Sequence, residues 1–134
     1  MSTEENLKTI KAVYEAFGRG DVEFILDSVT DDVDWATDTS STAAPWYGPR
    51  HGKSGVTEYF QAFGSTMTVQ QFEPVSFAAN DNEVHTVVRL ETTRVANGRS
   101  AAMNLHHWFV FRDGKIAFYR GAEDISQIEA AFRD

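Results

Sequence analysis

The chain has 134 residues, 42% hydrophobic and 13% aromatic, and its twelve basic and twenty acidic side chains leave a formal net charge of −8. That length fits one domain over residues 1–134, and the ring content excludes a disordered chain. The acidic balance argues against nucleic acid or an anionic membrane as partner. With no cysteine there is no disulfide scaffold, thiolate metal site or thiol nucleophile. No apolar run nears the ~20 residues of a membrane span. The opening MSTEENLK does not read as a signal peptide, so the expected setting is the cytoplasm.

Ser2 and Glu5 have capping-box spacing and open a first helix with Leu7, Ile10, Tyr14 and Phe17 on one face. Gly18 or Gly20 ends it. Asp21 caps a short second helix carrying Val22, Ile25, Leu26 and Val29. Val33, Trp35 and Thr37 alternate as a short strand, and residues 37–55 read as a long loop packed by Trp46 and Tyr47. A third helix starts near Ser54, buries Val56, Tyr59, Phe60 and Phe63, and closes at Gly64. The period then changes to two. Strands are expected at about 68–79, 84–95, 99–112 and 115–123, the first marked by Pro74 as an edge or a bulge. Asn97-Gly98 and Asp113-Gly114 mark tight hairpins, and Ile125, Ile128 and Phe132 make a short terminal helix. Helices followed by long antiparallel strands is an α+β order, with the helices on one face of the sheet.

Two-residue hairpin loops would set Val88 against His107, Leu90 against Leu105, His107 against Arg120 and Met103 against Asp124. The inner face then carries Val84, Thr86, Val88, Leu90, Met103, Leu105, His107, Phe109, Phe111, Ile116, Phe118, Arg120, Ala122 and Asp124. The outer face holds Arg89, His106, Trp108, Val110 and Tyr119, with Glu91, Asn104, Ala117 and Glu123. That mixture of rings is more than a solvated face needs, and a homodimer through it is expected.

Several strings run in a recognisable order. They are Tyr14-Glu15-Ala16-Phe17 before Gly20-Asp21, then Asp31-Asp32-Val33-Asp34-Trp35, then Gly52-Lys53-Ser54-Gly55-Val56 opening a helix that ends in Tyr59-Phe60. The last runs from His107-Trp108-Phe109 to Gly114-Lys115-Ile116, with Arg120 and Asp124 beyond. Together they resemble the nuclear transport factor 2-like superfamily, within it the SnoaL-like and ketosteroid-isomerase-like branch. The resemblance implies a cone-shaped curved antiparallel sheet wrapped around three N-terminal helices, an internal apolar pocket, and frequent dimers. The activities it implies are double-bond isomerisation, polyketide ring closure, epoxide hydrolysis and dehydration; some members only bind.

The isomerase-type Tyr, base and acid positions fall on Val13, Thr37 and His107, so that site does not carry over. The acid/base Asp of SnoaL-type relatives matches Asp124, with Arg120 at the family's spacing. The resemblance thus implies Asp124 as acid/base; chemically, a flanking Arg120 would hold it ionised and His107 would donate to developing oxyanion charge, and Asp38 is a second candidate base. Such proton transfer needs no cofactor and no metal. Tyr14, Phe17, Trp35, Trp46, Tyr47, Phe60, Phe63, Val88, Met103 and Phe109 are the pocket-wall candidates, suited to a hydrophobic or aromatic small molecule and equally to an aromatic core.

Each polar candidate has a second reading. Asp124 has capping-box spacing to Gln127, Arg120 suits a rim salt bridge, and His107 suits a hydrogen-bonded core position. His106 and His107 are neighbours on a strand, so they point apart and do not chelate. Gly48 to Ser54 lacks the spacing of a phosphate-binding loop. The expected function is proton-transfer chemistry on a ring-bearing molecule. The alternatives are a ligand-binding module without turnover and a dimeric interaction domain.

Overall fold

The computed structural model describes residues 2–133. Ser2 accepts from the Glu5 backbone N–H and opens α1 (Thr3–Gly18); Asp21 accepts from that of Phe24 and opens α2 (Val22–Asp27). There follow β1 (Val29–Thr37), the two-residue β2 (Arg50–His51), α3 (Gly52–Thr66), β3 (Met67–Ala79), β4 (Glu83–Arg94), β5 (Ser100–Arg112), β6 (Lys115–Ala122) and α4 (Ile125–Ala131). β1 is longer than the alternation predicts, β2 lies inside the expected loop, and α3 continues two residues past Gly64. The strands make one curved sheet in the order β2-β1-β6-β5-β4-β3. β1 runs parallel to β6 and every other pair is antiparallel. Pro74 lies on the free edge strand β3, at a register shift. Among the described residues no helix is long and apolar enough to cross a membrane.

The two hairpins behave differently. Asp113 (φ 51°) and Gly114 (φ 78°) make the expected two-residue turn, with Arg112 opposite Lys115. The Asn97-Gly98 turn is wider: Thr93 faces Ser100, and the Arg94 N–H donates to the Arg99 carbonyl. The pairing of β4 with β5 therefore slides by two residues. Thr86, not Val88, faces His107, and Val88 rather than Leu90 faces Leu105. The turn is opened by a second duty. Asn97 and Arg99 donate to the Ala131 and Ala130 carbonyls and so cap the end of α4. A slide of two keeps every side chain on its face, and Val84, Val88, Leu90, Leu105 and Phe109 remain buried inside.

The second departure does change faces. Phe111 faces Ile116 but Val110 faces Phe118, leaving Ala117 as an extra residue in β6. Beyond this bulge every β6 side chain is inverted. Tyr119, expected outside, is buried inside; Phe118, expected inside, packs outside against Trp108 at 4.9 Å between ring centroids. Arg120 also turns outward, pairing with Asp34 at 3.0 Å. His107 faces Gly121 in place of Arg120. Residue 121 has to lack a Cβ, which would lie 2.2 Å from the Tyr119 hydroxyl folded back over the backbone.

The chain past β6 is tied to β5. The Asp124 N–H donates to Met103 Sδ at 3.3 Å. Gln127 replaces a missing neighbour strand: its Oε1 accepts from the Ala102 N–H and its Nε2 donates to the Ala102 carbonyl.

Candidate functional site

Helical spacing on α1 and α3 and alternation on the sheet converge on one cavity. Val13, Tyr14 and Phe17 come from α1, and Tyr59, Phe60 and Phe63 from α3. Trp35, Phe72, Leu90, Leu105, His107, Phe109 and Tyr119 come from the inner sheet face, with Ile25 and Glu123 completing the wall. The cavity volume is about 70 Å³. The rings brace one another: Trp35 stacks on Tyr119 at 4.2 Å, and Phe17 meets Phe72 at 4.6 Å.

Besides the Tyr59 and Tyr119 phenols, two polar groups interrupt this apolar wall. One is built on His107 and Tyr14. The Tyr14 hydroxyl lies 2.8 Å from His107 Nδ1 and 2.5 Å from Thr86 Oγ1. Burial pushes the imidazole down to about 3 and the phenol well up, so both are neutral at pH 7. Each hydroxyl has a single proton, so the three groups form a directional relay. With Tyr14 donating to Nδ1, the proton of His107 sits on Nε2.

The other is Glu123, just past the end of β6. Trp46 Nε1 donates to its Oε1 at 3.0 Å, and the Tyr47 hydroxyl to its Oε2 at 2.9 Å. Burial raises the carboxyl above its ordinary range, and these two neutral donors only partly offset that. The donors belong to the 38–49 strap, which Trp46 anchors edge-on to Phe63 and Phe132 at 4.9 and 5.7 Å. Ser41 also donates to Glu129 on α4.

The expected site residues separate into groups. Tyr14, Phe17, Trp35, Phe60, Phe63, Phe109 and His107 share the cavity wall. Trp46 and Tyr47 lie behind Glu123 and hold it. Val88 and Met103 are buried in the core away from the wall. Asp124, expected inside, is exposed and caps α4, accepting from Gln127 N at 3.4 Å, Gln127 Nε2 at 2.8 Å and Ser126 Oγ at 2.7 Å. The Ser126 and Gln127 bonds hold its carboxyl below the usual range. Arg120 and Asp38 line a separate groove together with His106 and Trp108. The bulge is the physical reason for the displacement of Arg120 and Asp124, because it inverts β6 and turns Glu123 inward in place of its neighbours. The sequence reading puts Glu123 and Tyr119 outside; Tyr59 was visible on the buried stripe of its helix, and Phe72 carries no signal beyond strand alternation. Among the described residues no group of His, Asp or Glu is arranged to hold a metal.

Residues 10–119 match the family model of the SnoaL-like domain. The chain belongs to the SnoaL-like domain family. A nuclear transport factor 2-like protein of unknown function from Burkholderia pseudomallei is 23% identical to this SnoaL-like chain, with all of both chains covered and a TM-score of 0.89. TerC, co-crystallised with polyporic acid, is 22% identical over 97% of this chain and 99% of its own, with a TM-score of 0.84. A candidate polyketide cyclase from Xanthomonas campestris pv. campestris is 17% identical over 99% and 100%, with a TM-score of 0.80. At these identities the likeness is one of fold. No curated protein matches the SnoaL-like chain.

Proposed function

We propose that this SnoaL-like protein is an acid–base enzyme that moves a proton on a hydrophobic, ring-bearing small molecule in the cavity, with Glu123 as the proton-transfer group. The observation that carries the reading is one half-buried carboxylate in a wall otherwise made of rings, aliphatic side chains, a neutral imidazole and neutral phenols. Desolvation brings such a carboxyl toward the protonation balance that general acid–base catalysis needs near neutral pH. His107 and Tyr14 offer neutral hydrogen bonds to an oxygen on which charge develops. A cyclase-named neighbour and one crystallised with polyporic acid support the reading at the level of family.

Glu123→Gln keeps the shape and one acceptor oxygen, which can face Trp46 Nε1 while its amide N–H2 donates to a turned Tyr47 hydroxyl, but it cannot take a proton. Turnover should fall by about two to four orders of magnitude, the usual contribution of a general acid or base, with the melting curve little changed. A variant as active as wild type would overturn the assignment. A second reading has its own observation: both oxygens of Glu123 already accept from the strap, which suits a binding protein whose carboxylate is a structural tie. Under that reading ligand binds without being consumed.

We also propose that the outer sheet face pairs two copies of the chain. Arg89, His106, Trp108 and Val110 lie on it, with Trp108 40% exposed and Phe118 in the place expected for Tyr119.

A further inference from the structure

The cavity has an uneven charge inventory. Its wall contains one ionisable acid, Glu123, and no Lys or Arg. His107, the one wall residue among those described that could carry positive charge, is buried and neutral. The guanidinium near Tyr59 belongs to Arg50, and it is spent on the carbonyls of Pro45 and Tyr47. Glu123 is hydrogen-bonded only by an indole and a phenol, so no protein cation balances it. A half-buried carboxylate without a counter-charge leaves a field that favours a cation entering the cavity. The rest of the wall points the same way. Trp35, Tyr59 and Phe60 make a ring cluster, with centroids 5.1 to 5.9 Å apart, and ring faces attract cations while repelling anions. The net charge of −8 adds a long-range bias of the same sign.

We infer that the ring-bearing ligand carries a positively charged nitrogen, seated against the aromatic wall with its charge balanced by Glu123, and that the cavity rejects carboxylates of the same size. The inference rests on the reading of this cavity as the ligand site and adds the ligand's charge to it.

The test uses three benzyl probes on the full chain: benzyltrimethylammonium, its uncharged carbon isostere neopentylbenzene, and the anion phenylacetate. Binding is read by calorimetry and by tryptophan fluorescence. Wild type should bind the cation about tenfold or more tightly than the isostere, in line with a desolvated cation–π contact and one carboxylate, and should not bind phenylacetate. Glu123→Gln should remove most of that preference while keeping affinity for neopentylbenzene. Equal affinity for cation and isostere, or preference for phenylacetate, would overturn the inference and leave the cavity as a ligand site. Failure of all three to bind would remove both. The ranking on wild type decides the matter even if the variant folds poorly.

Discussion

A buried imidazole that stays neutral leaves a mark on stability. His107 is held down at about 3 by burial, while the unfolded chain binds its proton near 6.5. Between those values the unfolded state carries the extra proton, so this residue makes the fold less stable as pH falls. Glu123 acts in the opposite sense. Its raised carboxyl binds a proton more tightly when folded, so its ionised form costs stability that is regained as pH drops through the folded value. His107→Gln removes one titration and leaves the other, so the two can be separated by difference. The stability gap between wild type and His107→Gln should narrow by about 1 kcal/mol between pH 7 and pH 5.5. Urea denaturation at several pH values checks this, and a gap independent of pH would mean that His107 takes up its proton in the fold as readily as in the unfolded chain.

Elements explain why part of the site was legible in advance and part was not. Helical periodicity exposed Tyr14, Phe17, Phe60 and Phe63, and strand alternation placed His107 and Phe109 on the correct face, because both patterns are local. The β6 bulge is not local. Ala117 carries no Gly, Pro or charge to announce it, and one extra residue inverts everything after it. Asp124, matched by family spacing, thus lands outside, and Glu123 takes the inward position. The alternative reading of Asp124 as a helix cap is what the geometry shows, and it has a simple consequence. Asp124→Ala should cost about 1 kcal/mol of stability, while Asp124→Asn, which keeps the acceptor, should cost only a few tenths. Both should bind the probes as wild type does; loss of binding in Asp124→Asn would restore a direct role for this carboxylate.

At the scale of the whole molecule, the outer face is the surface left without a partner. Trp108 is fastened there by a hydrogen bond to Glu83 at 2.8 Å and by Phe118, so it is presented rigidly instead of being free to fold away. A side chain already ordered loses little entropy on association. Trp108→Lys should therefore move sedimentation from dimer to monomer while the cavity keeps its probe affinity. A wild type that sediments as a monomer at high concentration would remove the pairing. The cavity and this face lie on opposite sides of the same strands, so their effects can be measured independently.

The parallel pairing of β1 with β6 also governs the order in which the molecule is made. Trp35 faces Tyr119 across that seam, from opposite ends of the sequence. A contact between such distant residues bears a large loop-closure cost and forms late, after the β3–β6 meander has assembled through neighbouring hairpins. On the ribosome, α1, α2 and β1 emerge with their apolar faces uncovered and wait for most of the chain to follow. A refolding trace should show strand content recovering before the Trp35 environment does. The wall proposed to hold the ligand is then the last part of the protein to close, and a ligand present during folding would act chiefly by slowing its reopening.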